Sequence, residues 1–254
     1  MRGAKNAAAT AGLRPPTPSP PGSRLEPATL QRMAAPTPTD AIDLEAAARA
    51  LGVELAPALA ALRALLADVD RVVDDASAPL GLPCHRGCSM CCHQSVFLTP
   101  LEFFYAWDWA QRHLDGARRA AMVRRGLALY HHHRATIDAL GQRGGDGQQA
   151  SHDALARGLR FRCPLLGDDD ACSVHPAREL FARLFGGSFL DGGEIYGCQL
   201  VALHLAGRPA ALPRARAQAR RIADLPLTSM RQVYPWYLHL FYGGADGGGW
   251  PMAP

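Results

Sequence analysis

The sequence predicts a mainly α fold: a small, irregular helical domain built around a cysteine-rich loop, with a short β-hairpin at a second cysteine segment. Three observations carry that expectation. Apolar residues recur at helical spacing from Ile42 to Val72 and again from Leu101 to Leu129. Four of the seven cysteines fall within nine positions, Cys84, Cys88, Cys91 and Cys92, while Cys163, Cys172 and Cys198 lie together downstream. Between Cys163 and Cys172, the run Gly167 to Asp170 is a turn signal flanked by two short extended pieces, so a tight hairpin brings these two cysteines near one another.

Taken in order, residues 1–39 are rich in Ala, Pro, Thr and Ser and show no apolar periodicity, which predicts a disordered tail; Met33 is an alternative start. A single helical domain is expected over residues 40–242. It opens with a helix capped near Thr39 to Asp43, is interrupted at Gly52, and continues as a helix from about Glu54 to Asp75. Pro79, Gly81 and Pro83 end that helix, so the cysteine loop begins where regular structure stops. Thr99-Pro100-Leu101-Glu102 has the form of a capping box with proline at the first helical position, and it opens an aromatic helix. From Gly116 to Leu140 a further helix sets Arg118, Arg119, Arg124 and Arg125 on a solvated face. The glycines between Gly141 and Gln149 read as a connector, with a short helix after it over Ser151 to Gly158. Pro176 opens a helix that carries Leu180, Leu184 and Phe185 and stops at Gly186-Gly187. A short element covers Leu200 to Ala206, a basic helix Arg214 to Asp224, and an aromatic closing segment Ser229 to Tyr242; residues 243–254 are a flexible end.

Composition narrows the function classes. The net charge is +4, from 27 basic and 23 acidic residues, and five of the basic residues against two acidic ones sit in residues 1–40. The remainder is nearly balanced, which gives no support to nucleic acid as a partner. No apolar run approaches the ~20 residues a spanning helix needs, so no membrane is expected either. The apolar stretch Ala7 to Leu13 is broken by Thr10 and Gly12 and makes a poor signal peptide. The expectation is a cytoplasmic protein whose thiols stay reduced unless a metal holds them, with no protein partner indicated.

An odd number of cysteines cannot pair off completely, adjacent cysteines rarely bridge each other, and no secretion signal is evident, so the cluster points to metal before disulfides. Thiolates are soft anionic ligands suited to zinc, to ferrous iron and to iron-sulfur clusters. The candidate ligands are Cys84, Cys88, Cys91, Cys92, Cys163, Cys172 and Cys198, with a metal-binding core over about residues 84–200. Together with His93 and His175 they exceed one tetrahedral shell. That leaves open one zinc with spare cysteines, two ions sharing thiolates, or an iron-sulfur cluster held by four cysteines. In an extended segment the adjacent Cys91 and Cys92 point opposite ways, which places them on different ions or makes them bridge two. The triplet His131-His132-His133 lies on a helix, where consecutive side chains diverge by about 100° and share an ion poorly.

With both cysteine segments read, the chain resembles the YkgJ-type cysteine-cluster family, whose CxxCxxCC domain is described as zinc- or iron-chelating. The matching residues are Cys84 through Cys92, Thr99-Pro100-Leu101-Glu102, Cys163-Pro164-Leu165-Leu166, and Cys172-Ser173-Val174-His175 with Arg178. Two positions depart from the family pattern: Glu179 stands at the usual proline and Ala182 at a usual cysteine, leaving His175 or Cys198 to compensate. The resemblance implies a metal-binding cysteine-cluster protein whose zinc or iron organises the domain, and which senses or stores metal. Flagellin lysine methylases carry a similar cluster, so an iron-sulfur or metal-dependent enzyme performing methyl transfer or redox chemistry is the alternative. The chain has no GxGxxG loop after a strand, no serine nucleophile elbow and no HExxH helix. A third reading makes the metal structural and the aromatic carboxy-terminal segment around Trp236 a docking surface.

Overall fold

Two helix starts in this chain, at Asp43 and Thr99, are set by side chains that accept the free N–H groups of the first turn. In the computed structural model, which describes residues 37–85, 87–141, 156, 158–206 and 211–243, the Asp43 carboxylate accepts from the Ala46 amide at 2.8 Å and starts α1, Leu44–Ala50. Helix α2, Leu55–Ser77, buries Leu55, Leu59, Leu62, Leu66 and Val69 along one stripe and ends in a 3-10 turn, Ala78–Leu80, at Pro79. Strand β1, Phe97–Leu98, leads into α3, Pro100–His113. Both bonds of the capping box are made: Thr99 Oγ1 accepts from the Glu102 amide at 3.2 Å and Glu102 Oε2 accepts from the Thr99 amide at 2.7 Å. Helix α4, Gly116–Gly141, bends at His133 (φ −108°, ψ 15°).

The expected disordered tail lies outside the described residues up to position 36, and so do most of the glycine connector, most of the helix expected after it, and the flexible end beyond Gly243.

The remaining elements are short: α5, Leu180–Leu184; α6, Gln199–His204; α7, Ala215–Arg220; β2, Gln232–Val233; and α8, Tyr234–Tyr242. β1 and β2 pair antiparallel, Phe97 opposite Val233 and Leu98 opposite Gln232. This pairing seats α8 between α3 and α4. The fully buried Phe103 ring stacks on Tyr237 with centroids 4.7 Å apart, on Phe241 at 5.5 Å and on Trp107 at 5.9 Å. Gly126 lets α4 and α8 approach closely, since a Cβ there would stand 2.3 Å from Leu238 Cδ1. Tyr234, Tyr237 and Tyr242 are buried, so the closing aromatic segment is part of the core, with Trp236 half-buried beside it.

The mainly α class is as the sequence predicts, but the sheet lies elsewhere. The second cysteine segment forms only one antiparallel bridge, Leu166 to Cys172, and no ladder. Pro164 has no N–H to extend it, and the bonds Gly167 N–H to Ala171 O (2.8 Å) and Ser173 N–H to Leu165 O (2.9 Å) are used in closing the turn. Pro176 likewise opens only a 3-10 turn, His175–Ala177. Arg178 is then extended (φ −60°, ψ 146°), and α5 begins at Leu180. The restart has a cause outside the segment, because Glu102 Oε1 on α3 accepts from the Leu180 amide at 2.8 Å. The fully buried Glu102 thus starts two helices, with the Arg231 guanidinium 3.6 Å away to balance its charge. Among the described residues no single helix is long and apolar enough to cross a membrane.

Candidate metal centre

The first cysteine loop folds through turns. Cys88 N–H donates to His85 O at 3.0 Å, and Cys92 N–H donates to Ser89 O at 2.8 Å within the 3-10 turn Met90–His93. The divergence expected of Cys91 and Cys92 in an extended segment is therefore not found. In the tighter turn their sulfurs face each other, with Cys91 Sγ and Cys92 Sγ 3.9 Å apart.

A backbone bond ties the two cysteine segments together: Cys163 N–H donates to Cys92 O at 2.6 Å. The turn from Leu165 to Ser173 then returns the chain so that Cys172 adds to the burial that raises the Cys163 thiol. Cys92 is pushed up by Cys91, by burial and by both of these thiols. The Cys84 thiol is raised mainly because neighbouring chain partly desolvates its sulfur, although the residue as a whole is exposed, and then by Cys198, Cys88 and Cys91. Sulfurs from all three stretches of chain thus lie within electrostatic reach of one another, with Cys91 common to both groups. All seven thiols are free; Cys198 is buried, Cys84 is exposed and the other five are half-buried.

The thiols are not equivalent. The hydrogen bond with Cys92, helped by the Arg178 guanidinium, lowers the Cys91 thiol to about 7 against the cost of its burial. Cys92 goes up through the same contact, because its S–H is the proton the hydrogen bond to Cys91 holds, with burial and the Cys91 charge adding to the rise. Burial raises Cys163, and raises Cys172 to about 11. Arg178 is the cation of the site: its charge favours ionisation of Cys84, Cys91 and Cys172, and its Nε is buried without a hydrogen-bond partner among the described residues.

Glu179 is the residue that sequence reasoning passed over. In the sequence it is only a departure from proline, yet its carboxyl is buried, accepts from Tyr234 Oη at 2.7 Å and lies within the field of Cys163, Cys172 and Cys91. Burial raises its pKa. Tyr234 lies 55 positions away, so no local signal in the sequence marks the pair.

His93 and His175 are exposed. On α4, Tyr130, next to His131, stacks on His239 at 3.7 Å, and the His133 ring lies 5.9 Å from that of Phe161. Among the described residues no three or more His, Cys, Asp or Glu side chains stand in an arrangement that could hold a metal ion. The donor chemistry nevertheless fits a thiophilic ion. Two thiolates on one tetrahedral zinc at about 2.3 Å lie roughly 3.8 Å apart, and Cys91 and Cys92 stand at 3.9 Å.

No family model matches the chain, and no curated protein or solved structure does so either.

Proposed function

We propose that this protein binds zinc or iron through cysteines of two chain segments, as a member of the YkgJ-type cysteine-cluster family, and that the bound metal organises the region around residues 84–200. The observation that carries the reading is the tether from Cys163 N–H to Cys92 O beside a sulfur pair at ligand spacing. Cys91, Cys92, Cys163 and Cys172 are the first ligand set. Cys84, Cys88 and Cys198 are the second, available to a further ion or to exchange. An iron-sulfur cluster on four of these thiols satisfies the same chemistry.

When bound, the metal supplies positive charge that the thiolates need in a half-buried site. Cys91 ionises most readily, and the raised thiols lose their protons to the metal, so uptake releases protons and strengthens with pH. Arg178 offsets part of the remaining negative charge. Such a centre serves metal sensing or storage in a reducing compartment such as the cytoplasm, where free thiols persist.

The test is elemental analysis and ultraviolet-visible spectroscopy of the full chain, purified anaerobically without a histidine tag. At least one equivalent of zinc or iron is expected, falling by half or more in Cys163→Ser. Less than one equivalent in the wild type, after zinc or ferrous iron has been offered, rules the reading out.

A further inference from the structure

A cavity of about 260 Å³ lies between chain segments that adjoin Cys92 and Cys198. One wall is the run Gln94 to Phe97, which begins two residues after Cys92. The other is made by Phe181 and Phe185 of α5 with Tyr196 and Gly197, immediately before Cys198. Both walls are therefore continuous in chain with candidate thiols.

The walls are held in place before anything binds. Gln94 Nε2 donates to Gly197 O at 3.1 Å and ties one wall to the other. Tyr196 is fixed from both backbone groups, its N–H donating to Ser188 O and its C=O accepting from Gly186 N–H, each at 2.8 Å. Its ring packs between Phe181 and Phe185, with centroids 5.9 and 5.8 Å away. Gly197 has φ +73°, and a Cβ there would stand 2.2 Å from Phe185, so the ring sits directly on the glycine.

We infer that this cavity is a binding site for a small neutral aromatic group, held between the segments that lead from Cys92 and into Cys198. Size permits it, since an apolar cavity of about 150 Å³ already accepts benzene. Chemistry selects it: four rings and Val96 line the space, and no charged side chain does. Aromatic faces also attract cations, but the Arg231 guanidinium already lies 4.5 Å from the Phe181 ring centroid and repels a second one. Binding depends on the cavity alone. Only the statement that the bound group lies beside a metal rests on the function proposed above, and if both hold, the site is that of a metal-dependent enzyme more than of a store.

Saturation-transfer NMR on the full chain, with zinc and after chelation, tests this with p-cresol, benzoate and benzyltrimethylammonium as neutral, anionic and cationic probes. Transfer to p-cresol at least fivefold stronger than to either charged probe is expected. Val96→Phe fills the cavity and should reduce that transfer at least tenfold with circular dichroism and zinc content unchanged. If that variant does not fold, Phe181→Leu, which keeps an apolar wall but removes a ring, should weaken p-cresol at least threefold. No transfer to p-cresol, preference for a charged probe, or transfer unchanged in whichever variant folds overturns the inference. Zinc bound without p-cresol overturns the cavity alone, and p-cresol bound without zinc overturns the metal centre alone.

Discussion

Between α3, α4 and α8 the chain buries ring against ring, with Phe103, Trp107, Tyr237 and Phe241 in one stack. From Leu82 to Cys92 and from Leu159 to Cys198 it has little regular structure, one five-residue helix and two 3-10 turns. The first region orders itself through apolar area, which contributes about 1.5 to 3 kcal/mol for each large side chain buried. The second anchors Leu165, Val174, Leu180 and Leu184 in the same core, but the path of its thiol-bearing turns is set by single hydrogen bonds such as Cys163 N–H to Cys92 O, each contributing about 0.5 to 1.5 kcal/mol net. On the function proposed above, the aromatic core should fold without a metal, and the thiol region should gain most from one.

The largest effect expected belongs to the core. Phe103→Ala removes a fully buried ring at the centre of the stack and should cost about 3 to 5 kcal/mol in urea unfolding. The zinc bound per folded molecule should stay the same. If metal content falls with stability in this variant, the two regions are not separable.

Chelation probes the opposite side. Zinc held at about 100 times its dissociation constant stabilises whatever it orders by ~2.7 kcal/mol. Its removal should therefore speed hydrogen exchange of the Cys163 amide by about 100-fold. Amides of α3 from Phe103 to Ala110 should change less than about threefold, because local and global openings are distinct. Equal acceleration in both places means that the metal supports the whole fold.

Within the thiol region, alkylation of the metal-free protein separates the open side from the side packed on the core. A thiol lowered to about 7 is roughly half thiolate at neutral pH, whereas one raised to about 11 is about 10⁻⁴ thiolate. The lower basicity of Cys91 reduces its intrinsic reactivity, so the net advantage over Cys172 is roughly 100-fold. With iodoacetamide and mass-spectrometric mapping, Cys91 should be modified first, and its rate should fall as pH drops below about 7. Equal rates at both positions remove the electrostatic gradient assigned to Cys92 and Arg178.

What the sequence made legible follows the same division. The capping box at Thr99, the α2 stripe and the helix after Gly116 depend on residues close in sequence, and each stands where spacing places it. The misjudged features depend on distant partners, except for the Cys91–Cys92 pair, which a local turn reorients. Cys91 and Cys92 face each other because the loop closes into a 3-10 turn. The helix expected from Pro176 restarts at Leu180 because Glu102, 78 positions earlier, accepts its amide. Glu179 is buried because Tyr234 reaches it. The two-stranded sheet forms between β1 and β2, whose pairing no nearby turn announces.

The smallest effect tests the hinge between the two regions. Thr99 caps α3 through its hydroxyl, while its backbone amide is held by Glu102, the same carboxylate that starts α5 beside the thiols. Thr99→Ala removes one accepted hydrogen bond and should cost about 1 kcal/mol, and Thr99→Ser, which keeps the hydroxyl, should restore most of it. Because Glu102 retains its bonds to the Leu180 amide and its pairing with Arg231 in both variants, zinc content and the alkylation order of Cys91 and Cys172 should not change. A loss of that order in Thr99→Ala, recovered in Thr99→Ser, would instead show that the cap itself transmits the position of α3 to the thiol region, and that the two regions are coupled at Glu102.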